Sequence, residues 1–124
     1  PIQTNMRMMV PSVSPSDPIS VAVDKMVKED IGAVVAVEAG RPVGIITERD
    51  VLERVIKPQK DMHQTLVKDV MSTPLISIEA DRPMKEALDL MRKHDIRRLV
   101  VTKEGALVGL VTERRLLEVA FLVT

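Results

Sequence analysis

Two tandem βαββα units, packed about a pseudo-twofold axis as one globule of the α+β class, are expected from three features of this sequence. The phrase VGIITERDVL (43–52) returns as VGLVTERRLL (108–117), 65 residues later. The same offset pairs Pro18 with Pro83, Ala22 with Ala87, Asp24 with Asp89, Met26 with Met91, and Asp30-Ile31 with Asp95-Ile96. Inside each copy, helical spacing gives way to short branched apolar runs split by a glycine turn. A repeat this long means one supersecondary unit written twice. Neither half alone holds enough core to be comfortable, so the two are expected to pack together.

The elements follow in order. Ser16-Asp17 and Asp81 offer capping side chains ahead of Pro18 and Pro83, and proline suits a first helical turn, so helices are predicted to begin there. Ile19, Ala22, Val23, Met26 and Val27 recur at helical spacing, as do Met84, Ala87, Leu88 and Met91. Next, AVVAV (33–37) and LVV (99–101) are too short and too branched for helices and read as buried strands. EAGRP and KEGA each put a glycine in a tight turn, leading into the strands VGII and VGLV. Thr47 and Thr112 then precede a second helix, with Val51, Leu52, Val55 and Ile56 in one copy and Leu116, Leu117 and Ala120 in the other. A first strand is expected around Val13 and in LISI (75–78). Between the copies, KPQKDMHQT (57–65) is polar, contains Pro58 and reads as a linker, and LVKDVM (66–71) as a short lead-in helix to copy two. The division is therefore 1–60 for copy one, with linker to about 65, and 66–124 for copy two.

Composition removes several function classes. Lys plus Arg number 18 and Asp plus Glu 18, so the global basic field of a nucleic-acid protein is missing. Phe121 is the only aromatic residue, which leaves no platform for stacking bases. With no cysteine there is no disulfide framework, thiolate metal site or cysteine nucleophile. The apolar runs are shorter than the roughly 20 residues a bilayer span needs, and the PIQTN start has no signal-peptide core, so a cytoplasmic protein is expected. His63 and His94 stand alone, without a second histidine at metal-ligand spacing. Neither common phosphate-cradling glycine motif occurs, and no nucleophile has a plausible base.

Two βαββα copies, each ending in a Gly-aliphatic-aliphatic-Thr-x-x phrase, together with VMSTP (70–74), resemble a cystathionine-β-synthase (CBS) domain pair, also called a Bateman module. The resemblance runs from about Met6 to Leu117 and implies a stand-alone regulatory pair with no catalytic role. It further implies an adenosine-containing ligand (AMP, ADP, ATP or another adenosyl compound) in a cleft between the copies. In that family the aspartate of the terminal phrase takes the ribose hydroxyls, with the threonine nearby. Here that is Asp50 with Thr47. By the same correspondence Arg97, Arg98 and Arg114 would face the phosphates, and Ile45, Leu75, Ile76 and Ile96 would form the adenine slot, although each is equally explicable as core. Thr112, Arg115, Gly32 and Ala33 would mark a second cleft. Arg115 departs from the pattern there. The family habit of pairing two modules into a flat disc implies a homodimer, and the apolar run LLEVAFLV (116–123) is a candidate contact.

Residue chemistry bears on Asp50 and Arg115 independently. Thr47-x-x-Asp50 also fits a plain helix cap, in which the two side chains satisfy first-turn amides. Helix starting alone does not explain Arg115, because a cation in the first turn opposes the helix dipole by roughly 0.3–1 kcal/mol. A carboxylate accepts two hydroxyl protons in one plane, whereas arginine only donates. The copies are therefore expected to have different tasks. Two other functions compete: a ligand-free module for oligomerisation or protein interaction, and nucleic-acid binding through Arg97, Arg98, Arg114 and Arg115, which the charge balance disfavours.

Overall fold

The computed structural model describes residues 10–117. Two compact units result, Pro11–Leu75 and a second running from Ile76 onward. The sequence division at 65/66 and this packing division at 75/76 do not coincide. Residues 66–75 lead into copy two along the chain and yet pack with copy one.

In the first unit β1 (Ser12–Val13) pairs parallel with β2 (Ala33–Glu38), which pairs antiparallel with β3 (Arg41–Thr47). Helix α1 (Ile19–Lys28) makes the crossover, and α2 (Glu48–Val51) continues as a π-helical stretch, Leu52–Ile56. A short α3 (Val67–Val70) completes the unit. In the second, β4 (Ser77–Glu79) pairs parallel with β5 (Arg98–Lys103), which pairs antiparallel with β6 (Ala106–Thr112), and α4 (Met84–His94) makes the crossover. Residues 113–117 are helical. Both hairpins close on two residues of positive φ, Ala39-Gly40 and Glu104-Gly105. This is the primed turn that matches strand twist.

The repeated Asp-Ile pair has a backbone cause. Asp30 and Asp95 sit in the left-handed region at φ 50° and 52°. Aspartate tolerates that region better than most side chains. The next amide then reaches back across the helix end, from Ile31 to Met26 O at 3.0 Å and from Ile96 to Met91 O at 2.9 Å. These bonds satisfy carbonyls that a helix C-terminus otherwise leaves open.

The helix starts differ from the expected capping. Pro18 and Pro83 are themselves the N-cap residues, and no side chain caps α1 or α4. Asp17 instead accepts from the Ser14 amide at 2.9 Å. The first amides of α1 are taken by backbone carbonyls: Ile19 N donates to Thr65 O at 2.8 Å and Ser20 N to Met62 O at 2.9 Å. Residues 57–65 are therefore more than a linker, since they supply the acceptors an exposed helix start would seek in side chains.

Each unit has its own core. Ile19, Ala22, Met26, Val34, Ile46, Val55, Val67 and Val70 form the first. Ile78, Ala87, Met91, Leu99, Val101, Val111 and Leu116 form the second. Leu116, expected at a subunit contact, is fully buried in that core, and Leu117 is exposed. The rest of the 116–123 run, with Ala120 and Phe121, lies outside the described residues, as does the methionine-rich stretch at 6–9.

Candidate functional site

The site grows from the turn between β3 and α2. Strand β3 ends at Thr47, which becomes the N-cap of α2, and Asp50 at the third helical position completes a capping box. Asp50 Oδ2 accepts from Thr47 N at 2.9 Å and Thr47 Oγ1 at 3.1 Å, while Thr47 Oγ1 accepts from Asp50 N at 3.3 Å. The cap reading of Thr47-x-x-Asp50 is thus realised, and it does not exhaust the carboxylate. Oδ1 accepts from Ser72 Oγ at 3.1 Å, and Arg54 Nη1 stands 3.8 Å away. Asp50 is only 7% exposed, one of two buried polar residues among those described.

Sequence reasoning passed over Ser72 and Arg54. Arg54 follows Asp50 by four residues, one helical turn, and its Nη1 donates to Val70 O at 2.8 Å and Met71 O at 3.4 Å. Ser72 N donates to Ile45 O at 2.9 Å, forming an isolated bridge with that strand. Residues 70–72 are thereby strapped to the β3–α2 junction through Ile45, Asp50 and Arg54. The available signal was the Asp50-Arg54 spacing of an i,i+4 ion pair. Ser72 gave none beyond its place in VMSTP.

Copy two lacks the side chains that make the strap. Arg115 N donates to Thr112 Oγ1 at 3.1 Å, so the threonine half of the cap survives. The carboxylate half is lost because a guanidinium has no acceptor. Shifted by the repeat, Arg54 corresponds to Val119 and Ser72 to Arg7.

The other expected residues divide between the units. Ile45 and Leu75, both half-buried, share the first unit with Thr47 and Asp50. Gly32, half-buried, and Ala33, buried, are also there, and Gly32 O accepts from Glu48 N at 3.1 Å. The second unit holds Ile76, Ile96, Arg97, Arg98, Arg114, Thr112 and Arg115. Ile76 and Ile96 are half-buried, Arg97 and Arg114 exposed, and Arg98 lies opposite Thr112 in the β5–β6 ladder. Arg97 O accepts from Glu113 N at 2.9 Å, matching Gly32 with Glu48 in copy one.

Elsewhere in that unit, Glu79 accepts from the hydroxyl of buried Thr102 and from Glu104 N at 2.9 Å. The Thr102 bond, then the Glu104 and Gly105 amides, hold its carboxyl below the ordinary value. This ties the β5–β6 turn to β4, a structural task. Among the described residues no cluster of His, Asp and Glu could hold a metal, and no helix is long and apolar enough to cross a membrane.

Duplicated three-stranded sheets, each with a crossover helix and a Thr-capped second helix, define the class. The CBS domain family matches residues 6–57 and 67–121. This chain belongs to the CBS domain family, as a tandem pair. It is 42% identical over 97 residues to an uncharacterized Methanopyrus kandleri protein, covering 77% of this chain and about half, 50%, of that protein's length. A solved structure of a conserved Pyrococcus horikoshii protein superposes with a TM-score of 0.85 at 31% identity, over 97% of this chain and 91% of the other. A Pyrobaculum aerophilum CBS domain protein, solved in complex with AMP, gives a TM-score of 0.83 at 25% identity, over 97% and 98% of the two chains. Paired CBS domains of this kind are regulatory modules.

Proposed function

We propose that this chain is a sensor that binds an adenosine-containing ligand (AMP, ADP, ATP or a similar adenosyl compound) and passes its occupancy to a partner protein. Asp50 takes the ribose hydroxyls beside Thr47, Arg97, Arg98 and Arg114 supply donors for the phosphates, and Ile45, Leu75, Ile76 and Ile96 line the adenine. The observation that carries this reading is Asp50 itself: a nearly covered carboxylate, present in one copy and replaced by arginine in the other. A cap alone would not call for that asymmetry. The AMP held by the Pyrobaculum aerophilum protein supports the ligand class. Regulation then consists of a population shift, since a ligand moves an equilibrium only by its differential affinity for the two states.

Calorimetric titration of the full chain with AMP, ADP, ATP and S-adenosylmethionine tests this. Saturable heat with at least one is expected, and Arg97→Ala should weaken the phosphorylated ligands more than adenosine. No heat with any of them would remove the reading.

An assembly function has its own observation. In the first unit Val27, Leu52 and Ile56 are 76%, 59% and 49% exposed, and Val27 and Leu52 line a groove of about 520 Å³ together with Met26 and Val51. Exposed apolar side chains beside such a groove mark an interaction surface. The second component of the proposal is that two copies of this chain pair through it. Sedimentation at micromolar concentration should show a dimer that Leu52→Lys converts to monomer. A wild-type monomer would refute it.

A further inference from the structure

A carboxylate offers about four acceptor positions, two on each oxygen. Three of those on Asp50 are filled: Thr47 N and Thr47 Oγ1 hold Oδ2, and Ser72 Oγ holds Oδ1. Vicinal ribose hydroxyls need two positions where one is open. The bonds to Oδ2 belong to the capping box, and giving them up would cost α2 its start. On Oδ1 the competitor is a hydroxyl from a segment 22 residues away, on a half-buried serine within reach of water. Ser72 is the donor that can leave.

Resting on the reading of Asp50 as the ribose group, we propose that a bound ribose displaces the Ser72 hydroxyl. Ser72 and Arg54 are then positioning residues that convert occupancy of the site into a change in the hold on residues 70–75. That stretch runs directly toward β4 in the second unit. Arg54 keeps its grip on the carbonyls of Val70 and Met71, so the segment loosens at Ser72 without detaching. The repeat makes the device one-sided, because copy two has Arg115, Val119 and Arg7 at the corresponding positions.

Amide exchange on the full chain, with and without AMP, reads the strap directly. The Ser72 amide bonds to Ile45 O and the Met71 amide to Val67 O. Without ligand, Ser72→Ala should speed exchange at these two amides about three- to tenfold and leave α1 unchanged. Saturating AMP should speed the same amides in the wild type and add nothing in Ser72→Ala. AMP should also bind Ser72→Ala about three- to tenfold more tightly, since no hydroxyl has to be displaced. Weaker binding by Ser72→Ala, or AMP slowing those amides in the wild type, would overturn the proposal. Binding with unchanged exchange overturns the coupling alone. Failure of AMP, ADP and ATP to bind the wild type overturns the ribose reading and the displacement with it, and the ligand-free comparison then shows whether the strap exists by itself.

Discussion

Asp50→Asn is expected to weaken adenine-nucleotide binding by about a hundredfold or more while leaving the fold intact. The asparagine oxygen can still accept from Thr47 N, preserving the core of the capping box around a bond of 2.9 Å. What disappears is the charge and the second acceptor. The amide nitrogen only donates, so Ser72 or a ribose hydroxyl would have to turn and accept from it, and the neutral bond that results is roughly half as strong as the charge-assisted one it replaces. Two such bonds amount to about 3 kcal/mol, or two decades in Kd. Asp50→Ala should show the same loss of binding and, in addition, about 1–2 kcal/mol lower stability from the broken cap. Calorimetry with AMP beside thermal denaturation separates the two effects. An Asn variant that binds within about threefold of wild type would show that the carboxylate does not carry the sugar.

Arg115 makes the converse point from within the same chain. Thr112 still receives the amide of residue 115 at 3.1 Å, and residues 113–117 are helical with an arginine in the place of Asp50. A helix can begin at this turn without a carboxylate at the third position. The acid at position 50 therefore adds something beyond starting α2, and the bond from Ser72 is what the structure offers.

The fold was legible because its signals are local and doubled. Gly40 and Gly105 supply the left-handed turn conformation that glycine accepts most easily and announce both hairpins, while Ala39 and Glu104 beside them carry no such signal. Asp30 and Asp95 recur because a helix end demands a left-handed residue there. What stayed hidden uses partners without a residue signature. The amides of α1 end on the carbonyls of Met62 and Thr65, which any side chain could accompany. Arg54 likewise reaches backbone oxygens 16 and 17 residues away. The apolar residues after Thr47 recur at helical spacing, yet only Val51 and Val55 are buried, while Leu52 and Ile56 are exposed. Periodicity identifies an apolar face without saying what covers it. Of the candidate site, the spacing of Thr47 and Asp50 announced the cap and the family resemblance their proposed role, while Ser72 had no signal, because nothing in VMSTP says which strand it lies against.

The glycine of the repeated phrase has a steric origin, and Gly44→Val should test it with a loss of about 2–3 kcal/mol. A Cβ placed on Gly44 would lie 2.5 Å from Met71 Sδ, 2.9 Å from its Cγ and 3.2 Å from its Cβ. The sulfur end can swing aside because methionine is unbranched and adaptable, so Gly44→Ala should cost less, about 1 kcal/mol. Valine adds methyl groups that also press on the stem of Met71, and the neighbouring amide of Ser72 is bonded to Ile45 O. Overpacking there strains the strap as well as the strand. Clearing the space should restore much of the loss: in a Met71→Ala background, Gly44→Val is expected to cost about 1–2 kcal/mol less, a coupling of the size found for residues in direct contact. The sequence retains both partners in copy two, where Gly109 and Met6 stand at the corresponding positions. Denaturant unfolding of the four variants in the cycle measures the coupling, and an unchanged cost of valine without Met71 would show that another constraint keeps position 44 bare.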